Sequence, residues 1–168
     1  MSELLDSGAR RKFESGAERD ISEGKGRCDL LPLDVVARLL GNEEPTVSDS
    51  VLISISAFVR NGDSNNLYCA IYAFCNSVGI DIYTAMLEVS KQYEDGARKY
   101  SERNWEKGMN LHCYIDSGVR HYLKFRRGDK DEPHDRAFIW NMLGALWTHR
   151  HLPELNDLPF EKKSCTLE

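Results

Sequence analysis

The sequence predicts an all-α protein, a bundle of about five to six helices. Apolar residues recur at three- and four-residue steps through several segments long enough for helices. Clusters of Gly, Pro, Asn and Asp separate those segments. Strand-like runs do not alternate with helical ones, which argues against a parallel-sheet nucleotide fold. At 168 residues the chain is expected to form a single domain.

Residues 1–29 are polar and rich in glycine and charge (SGARRKFESGAERDISEGKGRCD), and read as an arm rather than core. A helical core is expected over 30–152. LLPLDVVARLLG, residues 30–41, suits a short helix with Pro32 near its start and Gly41 as a stop signal. NEEPT links it to VSDSVLISISAFVRNG, where Ser48 or Asp49 is placed to cap a helix over Val51 to Arg60. VLISISAFV also alternates as a strand does, so periodicity leaves both readings open. NGDSNN is a loop. Helices are expected from Asn66 to Val78 and from Asp81 to Tyr100, the second burying Ile82, Met86, Val89, Tyr93 and Ala97 on one face. Two more run from Tyr114 to Arg127 and from His134 to His151. Asp131 or Pro133 opens the last one, and Ile139, Met142, Leu143, Leu146 and Trp147 form its apolar stripe. The tail, 153–168, is polar and expected to be loose.

A net charge of −5 argues against broad binding to DNA or RNA, which relies on a basic face, but leaves room for a local basic pocket around a small anion. The five cysteines, Cys28, Cys69, Cys75, Cys113 and Cys165, include no CxxC pair, so neither a disulfide framework nor a structural zinc site is indicated. A reducing cytoplasm is the expected compartment. The stretch MSELLDSGARRKFESG lacks the apolar core of a signal peptide, and no run approaches membrane-spanning length.

Chemistry-bearing residues concentrate between Tyr93 and Asp135. Carboxylates bind divalent ions, cations grip phosphate oxygens, and aromatic rings stack on bases, so this mixture suits a metal ion beside a phosphorylated ligand. Each group also has a plainer reading. Glu132 and Asp135 open a helix, where the dipole favours acids regardless of function. Asp116 and Arg120 stand at an ordinary ion-pair spacing, with His121 beside them. Trp105 suits a core plug first, and its neighbours Arg103, Asn104 and Lys107 in a turn add base stacking and phosphate contact as a second reading. The segment KFESGAERDISEGKG, residues 12–26, also echoes QYEDGARKYSERNWEKG, residues 92–108. Either the echo is chance, or both segments end in basic turns that approach one polyanionic ligand.

GAERD with GKGRCDLLP, then YEDGARKYSERNWEKG, DSGVRHYLK and HDRAFIWN together resemble the dATP/dGTP diphosphohydrolase family of tailed phages, itself related to the MazG-like all-α NTP pyrophosphatases. The resemblance runs from about Phe13 to Trp147. It implies hydrolysis of dGTP or dATP to the monophosphate and pyrophosphate, dependence on Mg²⁺ or Mn²⁺, and a homo-oligomer with shared active sites, in the host cytoplasm. MazG-like enzymes carry E-E-x-x-E on one helix and E-x-x-D on the next. Glu132-Pro133-His134-Asp135 matches the second motif, but upstream only Asp116 is kept, with Ser117 and Arg120 in place of the other acids. Glu94, His121, Asp131 or His134 then completes the metal shell, or the chain binds nucleotide without hydrolysing it.

Taken with the resemblance, residue type assigns the expected roles. Glu94, Asp116, Asp131, Glu132 and Asp135 are the candidate metal ligands, and Glu94, Glu132 or His134 the base that orients water. Lys25, Lys99, Arg103, Lys107 and Arg120 are the candidate phosphate contacts, with His121 nearby; Asn104 and Trp105 are the candidates for the base. A non-catalytic nucleotide-sequestering protein is the alternative. A third reading is an HD-type metal phosphohydrolase, with His134-Asp135 as the HD pair and His112 or His121 upstream. No nucleic-acid polymer or membrane is expected as a partner.

Overall fold

The computed structural model describes residues 10–20, 27–32, 35–36 and 49–160, so Lys25, the NEEPT linker and most of the helix expected over 30–41 lie outside the described residues. A two-stranded antiparallel hairpin comes first, β1 (Arg10–Lys12) and β2 (Glu18–Asp20), with Arg11 opposite Arg19. Five helices follow: α1 (Ser50–Asn61), α2 (Asn65–Val78), α3 (Ile82–Lys99), α4 (Leu111–Arg127) and α5 (His134–His151). The all-α expectation is met, and the hairpin is the one departure among the described residues.

The ambiguous VLISISAFV run is helical because its cap and its packing agree. Asp49 accepts hydrogen bonds from Val51 N and Leu52 N, both at 3.1 Å, and Gly62 ends the helix in the left-handed region at φ 69°. Val51, Leu52, Ile55 and Phe58 then fall on one buried face. The Asp49 carboxylate also accepts from Tyr122 and Arg126, which ties α1 to α4. In α3, Ala85, Val89 and Gln92 are the buried residues, with Met86 and Tyr93 only partly covered.

Helix α5 is buried on almost every side. Ile139, Met142 and Leu146 lie in the core as their stripe requires, but so do His134, Asn141 and Thr148. It packs closely on α4 because glycine faces the partner at two points. A Cβ on Gly144 would stand 2.4 Å from Tyr114 Cε1, and one on Gly118 would stand 2.4 Å from Met142 Cε. The aromatic core beside them brings the Phe74 ring within 4.9 Å of Phe138 and 5.1 Å of Phe125.

Two expectations need correction. The polar arm is not wholly apart from the core over 10–20: it folds back as the hairpin, buries Ala17, and donates Ser15 Oγ to Gly108 O at 2.6 Å. The tail is not loose as far as Phe160. Asp157 accepts from His112 N and Asn110 Nδ2, both at 3.0 Å, serving the open N-terminus of α4. Phe160 meets Phe58 edge-on at 5.6 Å. Composition concealed both, because each segment is held by contacts to distant residues.

No single helix among the described residues is long and apolar enough to cross a membrane; α2 and α3 pass that test only as a pair bent by 104°.

Candidate active site

A cavity of about 790 Å³ opens between the hairpin, the C-terminal end of α3, and the facing sides of α4 and α5. That volume lies within the ~300–1,000 Å³ typical of small-molecule sites. Its walls differ in chemistry. The hairpin and the end of α3 contribute Arg19, Asp20, Lys99 and Tyr100, α4 contributes Asp116, Arg120 and His121, and Tyr93 and Trp140 add aromatic faces.

Arg19 reaches deepest from the hairpin. Its Nη2 donates to Asn141 Oδ1 at 2.9 Å, its Nη1 donates to Cys113 O at 3.3 Å, and its guanidinium lies 5.8 Å from the Trp140 ring centre. Burial lowers its pKa from the usual arginine value, although a guanidinium remains cationic in a protein. A desolvated cation facing a cavity attracts an anionic ligand strongly. Beside it, Asp20 accepts from Lys99 Nζ at 2.9 Å and from Tyr100 at 3.2 Å. Burial, with the Asp20 charge adding to it, pushes the Tyr100 hydroxyl up to about 12.

The opposite side holds the acids and imidazoles. The buried Asp116 carboxylate accepts from Arg120 Nη2 and from Cys28 N. Further along, His121 Nδ1 lies 3.0 Å from His134 Nδ1, and Glu132 Oε1 stands 3.5 Å from both nitrogens. His134 Nε2 is 2.7 Å from Asp131 Oδ1, whose other oxygen accepts from Lys124 Nζ at 2.9 Å. Burial drives the His121 pKa down to about 3, reinforced by Arg19, His134, Arg120 and Lys124, so this imidazole is neutral at physiological pH. The hydrogen bonds from Lys124 and His134 hold the Asp131 carboxyl well below its usual range.

Of the residues singled out from sequence, Lys99, Asn104, Trp105, Asp116, Arg120, His121 and Glu132 line the cavity. His134 sits behind its wall against His121, and Asp131 behind His134. Asn104 donates to Glu18 O at 3.3 Å and so anchors the hairpin, while Trp105 meets Tyr93 and Trp147 edge-on at 5.6 and 5.2 Å, the packing of a core plug with one face on the cavity. Arg103 is at the rim, 74% exposed and paired with Glu106.

The structure separates three others from this assembly. Glu94 is 59% exposed and pairs with Arg98 on the solvent side of α3, because its helical phase is opposite that of Gln92 and Tyr93. Lys107 is exposed and Asp135 half-buried, and neither lines the cavity. Among the described residues, Asp135 belongs to neither of the two His/carboxylate groups compact enough for an ion, whereas His134 belongs to both. The internal echo is no structural repeat, since residues 18–20 form a strand and residues 92–99 a helix. The two segments nevertheless meet through Asp20 and Lys99 on the cavity wall.

Arg19, Tyr93, Tyr100, Lys124, Trp140 and Asn141 also line the cavity, and sequence reasoning assigned none of them a role there. Arg19 had a signal in the quoted GAERD, but nothing local shows that this arm crosses to α5.

Residues 77–158 match the family model described as dATP/dGTP diphosphohydrolase, N-terminal. Over this stretch the chain is similar to that family. The matched segment carries α3, α4 and α5 and therefore Asp116, His121, Glu132 and His134, while Arg19 lies outside it. The family's description indicates hydrolase chemistry of the diphosphohydrolase type on dATP or dGTP. No curated protein and no solved structure matches.

Proposed function

We propose that this protein is a metal-dependent nucleotide pyrophosphohydrolase that cleaves dGTP or dATP to the monophosphate and pyrophosphate. What supports the reading most is one cavity lined together by the cations Arg19, Lys99 and Arg120, by His121 and Glu132, and by the rings of Trp140 and Tyr93. Phosphate oxygens, a divalent ion and a purine ring would each find chemistry there that suits them.

The residues present fit a divalent ion, because Glu132 and the imidazoles of His121 and His134 converge on one point. When bound, such an ion lowers the pKa of coordinated water and neutralises phosphate charge. The chain's own groups do the rest. Arg19, Lys99 and Arg120 hold the triphosphate and offset the charge that grows on the leaving pyrophosphate. Asp20 and Asp116 keep two of those cations in place before the ligand arrives. Trp140, already stacked near the Arg19 guanidinium, offers a face to the base.

A homo-oligomer belongs to the same proposal. Tyr68, Tyr72, Tyr83 and Leu87 stand exposed on α2 and α3, Tyr83 at 81% and Leu87 at 70%.

A sequestering protein is the second reading, favoured by one observation: the Asp116 carboxylate is occupied by Arg120 and Cys28 and so is less available as a ligand. Incubation with dGTP or dATP and Mn²⁺, followed by chromatography, decides between them. The pyrophosphohydrolase releases monophosphate and pyrophosphate in equal amounts; a sequestering protein returns the triphosphate intact.

A further inference from the structure

The arrangement of His121, His134 and Glu132 differs from the all-acid ligand set that the resemblance suggests. Their three donor atoms form a triangle with edges of 3.0, 3.5 and 3.5 Å. The centre of such a triangle is about 1.9 Å from each corner, so an ion slightly out of the plane reaches all three at the ~2.0–2.2 Å usual for first-row transition ions with nitrogen and oxygen donors.

Tautomer and orientation are also set for it. His134 is 1% exposed, and its Nε2 is directed at Asp131 Oδ1 at 2.7 Å. Donation of Nε2–H to that carboxylate leaves the Nδ1 lone pair pointing at His121 and Glu132. Lys124 fixes Asp131 from the far side at 2.9 Å. A carboxylate, an imidazole and then a metal is the usual order in which proteins orient a histidine ligand. A plain hydrogen bond between the two imidazoles would account for the 3.0 Å contact, but it leaves Glu132 Oε1 at 3.5 Å from both nitrogens without a good partner in that group.

We infer that His121 Nδ1, His134 Nδ1 and Glu132 form a two-histidine, one-carboxylate site for a first-row transition ion, with Asp131 as the positioning residue behind His134. Two imidazoles favour Mn²⁺, Fe²⁺, Co²⁺ or Zn²⁺ over Mg²⁺, which prefers oxygen donors. The remaining coordination positions face the cavity, where phosphate oxygens and water would enter. The site's part in turnover rests on the pyrophosphohydrolase reading; the binding itself does not.

The test is a titration of chelator-treated protein with Co²⁺ alone, followed by visible d–d absorption and calorimetry. One Co²⁺ per chain is expected, with binding lost in Glu132→Gln and in His121→Ala, and retained in a large excess of Mg²⁺. Asp131→Asn keeps all three ligands and is expected to weaken Co²⁺ ~10–100-fold. Circular dichroism checks that each variant remains helical. Unchanged Co²⁺ affinity in both ligand variants, or displacement by Mg²⁺ at equal concentration, overturns the inference. Hydrolysis of dGTP is measured separately. Turnover by His121→Ala with Mg²⁺ overturns the metal site and leaves the enzyme reading standing. A Co²⁺ site in a protein that cleaves no triphosphate does the reverse.

Discussion

Arg19 Nη2 donates to Asn141 Oδ1 at 2.9 Å, so the N-terminal hairpin and the central helix α5 meet inside the cavity. Asn141 is held in turn, its Nδ2 donating to Ala137 O at 2.7 Å. The guanidinium is therefore positioned before any ligand arrives, and a phosphate contact made there loses little side-chain entropy on binding.

Replacing Arg19 tests that arrangement. Arg19→Gln is expected to reduce kcat/KM for dGTP ~100–1,000-fold, the usual effect of removing one positioned donor to developing charge. Arg19→Lys should recover little, because an ammonium cannot bridge Asn141 and the Cys113 carbonyl with a planar fork. Steady-state kinetics on both variants measures this, and near-native kinetics in Arg19→Gln would exclude the hairpin from the site.

Glu132 and Asp135 separate two ligand models. Both belong to the E-x-x-D motif, but only Glu132 faces the cavity. Glu132→Gln is expected to lower pyrophosphate release at least ~100-fold, and Asp135→Asn to lower it far less. Equal losses in a coupled pyrophosphate assay would restore the motif's paired reading.

Gly144→Ala tests the α4–α5 contact. Its new methyl group would meet the Tyr114 ring, which is fully buried. A destabilisation of about 1–3 kcal/mol is expected in urea unfolding. Gly118→Ala should cost less, since the end of the flexible Met142 side chain is the first atom met.

Asp49→Ala removes a helix cap and strands a buried hydroxyl together. The loss of the α1 cap and of the acceptor for Tyr122 should destabilise the protein by about 2–4 kcal/mol. Asp49→Asn should recover part of it by keeping the cap. Chemical unfolding followed by circular dichroism distinguishes the two.

The helices were legible in the chain because each carries its own signals. Asp81 caps α3, Gly62 and Gly128 end α1 and α4 in the left-handed region, and apolar spacing marks the buried faces. These are effects between residues a few positions apart, and a linear reading contains them. Even VLISISAFV, undecided by periodicity, had its cap in view at Asp49.

The site was legible only in part. Glu132, Asp116, His121 and the cations of α3 and α4 could be named from residue type, but their company could not. Glu94 satisfied every compositional criterion and still faces solvent, because one step of helical phase turns a side chain by about 100°. Arg19 lay in a segment without apolar periodicity, and its role depends on a contact 122 positions away. The pairing of His121 with His134 likewise arises where α4 and α5 pack through Gly118 and Gly144. Which helices form is decided by neighbours along the chain. Which donors converge is decided by the phase and closeness at which those helices pack, and these are set by contacts between residues far apart in sequence.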